Sequence, residues 1–334
     1  MHEKAFDIIK LLADGKIHSG TELGDALNVS RAAVWKQISR ITEETGVVIR
    51  SVPGQGYQLE EPFELLDAEA LATQAQAVDS LRGQLQIHVL QEATSTNDVA
   101  LLAAQNGAPS YSVWLTEHQT AGRGRRGKQW LSPMLGNIYG SLLVKLKGGM
   151  RSLEGLSLVV GIAIARAIER FGIRDLRLKW PNDIWCREQK LGGILVEISG
   201  DPLGQCDVVI GFGINLSLSA ELKSAVAQNI TSINAELANA GITQTISRNA
   251  LLIAILDELA IALRQHKEYG FPNFLPAWEK HDALRGREVM ISSVGENTSG
   301  ICRGVSNRGA LLLEVNGEIQ EIHAGEASVR PQAH

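Results

Sequence analysis

Cysteine is scarce: the 334 residues hold only Cys186, Cys206 and Cys302, none at a C-x-x-C or Cys/His ligand spacing. An odd, sparse set excludes a disulfide framework and a cysteine zinc site and reads as reduced, cytosolic thiols. Excess positive charge is also lacking. The net charge of −5 leaves no global basic field for nucleic acid, only room for a local one. The opening Met1-His2-Glu3-Lys4 has no apolar stretch of the secretory kind, so a cytoplasmic protein is expected. The longest greasy run, residues 156–165, is too short to span a bilayer and reads as a buried helix. Internal repeats and low-complexity tracts are missing as well. At 44% apolar residues the chain can bury a large core, in two or three domains.

Catalytic signatures are missing in an informative way. There is no Walker G-x-x-x-x-G-K-S/T, no Ser-His-Asp arrangement, and no carboxylate cluster for a permanent metal. What is present is Gly122-Arg123-Gly124-Arg125-Arg126-Gly127, three guanidinium groups among three glycines, followed by Lys128 and Trp130. Like charges at this spacing repel, and glycine gives the backbone little reason to stay ordered. Such a loop is costly to hold in one conformation unless an anion neutralises it, and arginines and exposed backbone N–H groups bind phosphate and carboxylate well. A solvated basic turn is the alternative that the hexapeptide alone leaves open.

Three stretches have different grammar. In residues 1–62, Ala5, Ile8, Ile9, Leu11 and Leu12 make one helical stripe that Gly15 ends. Thr21 is expected to cap a short helix, and Ser30 caps a third bearing Val34, Ile38 and Ile41. Ala26 and Val29 are expected to pack the corner between them. Residues 47–52 and 57–59 flank Pro53-Gly54-Gln55-Gly56 as a β-hairpin, completing a winged helix-turn-helix. Its third helix offers Ser30, Arg31, Trp35, Lys36 and Arg40 to DNA, with Lys36 and Arg40 on phosphates. Seven basic residues in 1–61 face nine carboxylates, so only this helix is basic; a protein-docking module stays open, and a monomer would bind DNA weakly.

Glu60-Glu61-Pro62 marks a boundary, and residues 66–76 read as a helical connector. Residues 63–283 then mix strands and helices: α+β with a mixed sheet, helices covering one face. Residues 284–334 read as short strands between glycine turns, which suits a small SH3-like β-barrel.

Polar clusters fall at the ends of expected strands. Ser95-Thr96-Asn97 opens a helix, and its hydroxyls could simply cap it. Gln119 leads into the glycine-arginine loop. Lys179-Trp180-Pro181-Asn182-Asp183 and Lys190-Leu191-Gly192-Gly193 share one hairpin, where an unpaired ammonium among apolar residues would be expensive. Gly192-Gly193 and Gly211-Phe212-Gly213-Ile214-Asn215 let another group approach the backbone. A site rich in Arg and Lys without a nucleophile suits a reaction driven by positioning and charge neutralisation, such as acyl-adenylate formation.

In order and spacing these motifs resemble the biotin–protein ligase family, and with the winged helix the whole chain resembles its bifunctional bacterial branch. The resemblance implies a central domain like that of class II synthetases. It implies that biotin and ATP, with Mg²⁺ carried by the ATP and no protein metal site, give biotinyl-5′-AMP. The biotinyl group then passes to a lysine of the biotin carboxyl carrier protein of acetyl-CoA carboxylase. By motif, Ser95, Thr96, Asn97, Gln119, Gly122, Arg123, Gly124, Arg125, Lys190 and Gly193 would hold biotin. Arg123, Arg125, Arg126, Trp130, Asn182, Lys190 and Asn215 would hold ATP or the adenylate. Lys190, Arg125, Asp183 and Lys179 would serve the chemistry, Asp183 orienting or deprotonating the acceptor lysine. The resemblance further implies that the loop orders on ligand, and that an adenylate-bound homodimer represses biotin biosynthesis genes at a two-fold operator, with the adenylate as co-repressor. A lipoate–protein ligase, a regulator without ligase activity, and a ligase with a vestigial DNA-binding domain are the alternatives.

Overall fold

A computed structural model describes residues 3–60, 63–147, 152–200, 204–226, 228–292, 297–324 and 328–331. Met1, His2, and the Glu61-Pro62 part of the expected boundary lie outside the described residues. The first unit contains α1 (Glu3–Leu12), α2 (Gly20–Leu27), α3 (Arg31–Thr45), β1 (Ile49–Val52) and β2 (Gly56–Leu59). The two strands pair antiparallel, giving the expected helix-turn-helix and wing. The α2 cap differs from expectation. Ser19, not Thr21, accepts from Glu22 N–H while the Glu22 carboxylate accepts from Ser19 N–H, a reciprocal capping box. Corner packing differs too: Ala26 is exposed, and Gly24 is the buried small residue. A Cβ on Gly24 would lie 2.6 Å from the Val29 carbonyl oxygen, so only glycine fits there. Ser30 caps α3 as expected, accepting from Ala33 N–H at 3.2 Å.

After α4 (Ala68–Gln76) come β3 (Gln86–Ala93), α5 (Thr96–Gln105), β4 (Ser112–Gln119), β5 (Ile138–Lys147), α6 (Leu156–Glu169), β6 (Leu176–Lys179), β7 (Asp183–Cys186), β8 (Gln189–Gly200) and β9 (Gln205–Ile214). After β9 come α7 (Ala220–Ala225), α8 (Ile233–Asn239), α9 (Arg248–Tyr269) and α10 (Leu275–His281). Seven strands form one mixed sheet in the order β3-β4-β5-β9-β8-β7-β6. Among the described residues, β3 and β4 are the only neighbouring strands of this sheet that run parallel, and α5 makes the crossover that parallel neighbours require. Helices lie on both faces rather than one. Ala100 and Ala104 of α5 pack on Trp114, Leu143 and Val209, while α6 and α9 pack on the opposite face. α6 is buried nearly all round because it lies between the sheet and α9, which explains its unbroken apolar run.

The C-terminal unit corrects the expected barrel. β10 (Glu288–Ser292), β11 (Asn297–Val305), β12 (Leu311–Val315), β13 (Glu318–Ile322) and β14 (Ser328–Pro331) form an open sheet in the order β13-β12-β11-β10-β14. Among the described residues β13 pairs only with β12 and β14 only with β10. The physical reason lies in where the apolar face goes. Val289, Ile291, Cys302, Leu311 and Leu313 join the core of the central unit, so the sheet buries its face on a neighbour instead of on itself. β13 is left as an exposed edge bearing Glu318 and Glu321, charges that discourage edge pairing.

Candidate functional site

A cavity of about 900 Å³ lies between the N-terminus of α5, the glycine-arginine loop and the β6–β7–β8 hairpins. Its polar wall is a relay of buried groups. Thr96 N–H donates to Gln119 Oε1 at 2.9 Å, and Gln119 Nε2 donates to Ser132 Oγ at 2.8 Å. Ser141 Oγ lies 2.7 Å from Thr96 Oγ1 and 2.5 Å from Asn97 Oδ1. Asn97 Nδ2 donates to Glu197 Oε2 at 2.8 Å. Ser95 occupies the N-cap position of α5 yet makes no side-chain capping bond, so its buried hydroxyl is not spent on the helix. Gly211 makes this wall possible, because a Cβ there would sit 2.2 Å from Asn97 Oδ1. Ser132, Ser141 and Glu197 were not expected from the sequence. Ser141 carried a signal, a hydroxyl within the apolar strand run 138–145.

The sheet hairpins form the opposite, cationic wall. β7 pairs with β6 and β8, which sets Lys179 across from Asp183 and Lys190 across from Trp185. Lys190 Nζ lies 2.8 Å from Asp183 Oδ1, and Lys179 Nζ lies 3.9 Å from Asp183 Oδ2. The carboxylate thus offsets two ammonium groups that are each about 15% exposed. Lys179 also stands over the Trp185 ring at 4.9 Å and Lys190 over Trp130 at 5.2 Å. Asn182 Nδ2 donates to the Ile194 carbonyl at 2.7 Å, bracing the turn. Trp180 Nε1 donates to the Gly309 carbonyl at 3.0 Å, tying the hairpin to the C-terminal sheet.

The glycine-arginine loop closes as a short turn, Gly124 N–H donating to the Lys128 carbonyl at 2.7 Å. Arg123 does not point free into the cavity: its Nη2 lies 2.7 Å from both Asp98 and Glu197. Arg125 donates to the Ala324 carbonyl, and Arg126 Nη1 donates to the Ser292 carbonyl at 3.1 Å. Burial pushes the Arg125 guanidinium below its ordinary value, with Asp183 opposing that shift. Trp130 lies on Gly193 and Gly213, where a Cβ on Gly213 would come within 2.6 Å of the indole. Beyond it is a second cavity of about 290 Å³, lined by Trp130, Lys190, Asn215 and Leu222. Lys190 therefore borders both spaces. Asn215 is buried and donates from Nδ2 to the Thr231 carbonyl at 3.1 Å.

The residues expected to meet DNA are together on α3. Arg31, Trp35, Lys36 and Arg40 are exposed, and Trp35 is 62% exposed, an unusual cost for a lone indole on a helix. Arg40 lies 2.5 Å from Glu44, and Ser30 is engaged as the cap. Met134 and Leu135, from the segment that follows Trp130, pack into the winged-helix core, so the loop side of the cavity touches this unit.

A model of the biotin/lipoate A/B protein ligase family matches residues 89–215. A helix-turn-helix (HTH) domain model matches residues 4–58, and a biotin protein ligase C-terminal domain model matches residues 286–330. The chain is 38% identical to the bifunctional ligase/repressor BirA of Escherichia coli, over 97% of this chain and 96% of that one. It is 29% identical to the protein of the same name from Bacillus subtilis, over 96% and 97%. Among solved structures, the biotin protein ligase of Aquifex aeolicus in complex with biotin and ATP aligns with a TM-score of 0.61 at 27% identity. That alignment covers 74% of this chain and 99% of the other.

Proposed function

The chain belongs to the biotin–protein ligase family in its bifunctional ligase/repressor form, and from that membership we propose that it makes biotinyl-5′-AMP from biotin and MgATP and hands the biotinyl group to a carrier-protein lysine. The acceptor is the biotin carboxyl carrier protein of acetyl-CoA carboxylase. The adenylate is also the co-repressor: a homodimer that retains it binds the operator of biotin biosynthesis genes through two winged helices. We read three units, 1–62 for DNA, 63–283 for ligation and 284–334 as the C-terminal sheet. Among the described residues no helix is long and apolar enough to cross a membrane.

The observation that carries this reading is Lys190, which borders both cavities. Biotin lies on the side of Ser95, Thr96, Asn97 and Gln119, with Gly124 and Gly193 giving its carboxylate close backbone approach; Gly122 instead lets the Trp130 carbonyl and Ser132 pack behind the wall. The nucleotide extends past Trp130 toward Asn215. A biotin carboxylate oxygen attacks the α-phosphorus, the bond to the β-phosphate bridging oxygen breaks, and pyrophosphate leaves. Lys190 neutralises the oxygens where charge gathers, Lys179 adds to the same field, and Arg125 holds the adenylate that forms. In the second half the acceptor amine attacks the acyl carbon, AMP leaves, and Asp183 orients the amine or takes its proton. Arg123, Arg125, Arg126 and Asn182 each donate to protein partners in this conformation, so contacts of those donors with the adenylate require the bonds to exchange.

Loading assays with biotin and with lipoate test the substrate. Biotin-dependent pyrophosphate release with acceptor labelling is expected, and lipoate loading would make the chain a lipoate ligase instead. Filter binding to operator DNA, with and without biotinyl-5′-AMP at two salt concentrations, tests the repressor. Retention is expected to rise with adenylate, to fall with salt, and to vanish when residues 1–61 are deleted. Ligation without any DNA retention would leave a ligase with a vestigial winged helix.

A further inference from the structure

Glu236 is a carboxylate in a place where one is expensive. It lies in the first turn of α8 and is 2% exposed. Thr231 Oγ1 donates to its Oε1 at 2.6 Å, and the Cys186 thiol donates to its Oε2 at 3.3 Å. Burial first, and this carboxylate second, push the Cys186 thiol up to about 12, so the sulfur keeps the proton it donates. Arg187 Nε lies 3.1 Å from Oε2, on the solvent side. Glu236 therefore joins the β7–β8 turn, through Cys186 and Arg187, to the segment 229–231.

That segment holds the nucleotide side of the site. Lys190 N–H donates to the Asn229 carbonyl at 2.9 Å, and Thr231 N–H donates back to the Lys190 carbonyl at 2.9 Å. The Thr231 carbonyl accepts from Asn215 Nδ2 at 3.1 Å. One residue, Thr231, thus fixes the backbone of Lys190 and the side chain of Asn215, and Glu236 fixes Thr231. A hydrophobic residue at 236 would fill the space but leave the Thr231 hydroxyl, the Cys186 thiol and Arg187 without this acceptor. We infer that Glu236 is a positioning residue for the nucleotide half of the site, acting through Thr231 on Lys190 and Asn215. The inference rests on the ligase reading above, in which those two residues meet ATP.

The test is steady-state kinetics of pyrophosphate release on the full chain, varying ATP and biotin separately, with thermal melting alongside. Glu236→Leu is expected to lower kcat by about ten- to a hundredfold through Lys190, since small displacements of a reacting constellation cost on this scale. It is also expected to raise the KM for ATP through Asn215 while the KM for biotin stays within about twofold. Glu236→Asp, which keeps the charge, is expected to recover part of the loss. If Glu236→Leu does not fold, Thr231→Val decides the matter. It removes one hydroxyl, keeps shape, and is expected to raise the KM for ATP by about three- to tenfold with biotin unaffected. Equal rises in both KM values, or a fall in melting temperature with kcat and both KM values unchanged, would make Glu236 a stabilising residue only and overturn the inference. Wild-type chain that shows no ATP-dependent reaction with biotin would instead overturn the ligase reading on which it stands.

Discussion

The hairpin wall of the cavity carries Lys179 and Lys190, about 15% exposed, on strands whose register fixes them against Asp183. The arginine wall carries one more positive charge but is held by distant partners: Arg123 by Asp98 and Glu197, Arg125 by the Ala324 carbonyl, Arg126 by the Ser292 carbonyl. One wall is fixed by the backbone ladder of a buried sheet; the other depends on a few side-chain bonds, several of them open to water. Rigid placement suits the group that must meet a developing charge, because preorganisation is what gives such a group its effect. Replaceable bonds suit a segment that must admit ligand and then hold it. On this comparison the hairpin wall does the chemistry and the arginine wall governs retention.

Substitutions on each wall should separate the two roles. The largest effect is expected from Lys190→Ala, which should slow adenylate formation by about 10²–10³-fold or more, the cost of losing one preorganised charge-stabilising donor. Rapid-quench measurement of pyrophosphate release checks this, and near-normal release would place the chemistry elsewhere. Arg125→Gly should act on the other quantity. Adenylate formation should persist while the intermediate escapes roughly tenfold faster, equivalent to about 1.4 kcal/mol of lost retention. Gel filtration of the complex followed in time, with labelling of bystander proteins, measures that escape. Retention equal to wild type would remove Arg125 from the closing device.

Legibility in the sequence followed the same division. The hairpin wall was readable because Lys179-Trp180-Pro181-Asn182-Asp183 and Lys190-Leu191-Gly192-Gly193 are contiguous, and strand alternation gave their pairing. The glycine-arginine loop stood out in the sequence for its charge, but its protein partners were hidden, since Asp98, Glu197, Ser292 and Ala324 come from far along the chain. The polar relay through Ser132 and Ser141 was hidden for the same reason. Position 236 gave no sign at all, because a glutamate in a short amphipathic helix looks like any solvated residue. The barrel expectation failed on a tertiary fact: alternation shows that a sheet has an apolar face, not what will cover it. At Ala26 and Gly24 the period was right and the corner residue was displaced by two, a choice set by the close approach of the Val29 carbonyl.

Arg123 is where the comparison can be sharpened most finely. The resemblance gives it to the ligand, whereas the geometry gives it to Asp98 and Glu197, two carboxylates 2.7 Å away, of which Glu197 also accepts from Asn97. All three side chains are partly exposed, at 39%, 45% and 24%, so each ion pair is worth at most about 1 kcal/mol and weakens with salt. If Arg123 works as a latch, Arg123→Gln should raise adenylate escape by about two- to fivefold. The pair Asp98→Asn with Glu197→Gln should do the same, since glutamine still accepts from Asn97. The triple variant should then be no leakier than either, because both changes remove the same bonds. Raising the salt should erase most of the difference between wild type and these variants. If instead Arg123 binds the adenylate directly, removing the two carboxylates should free the guanidinium and tighten retention, and that gain should vanish when Arg123 is also replaced. Opposite signs for the carboxylate pair thus decide whether the arginine wall closes on the protein or on its ligand.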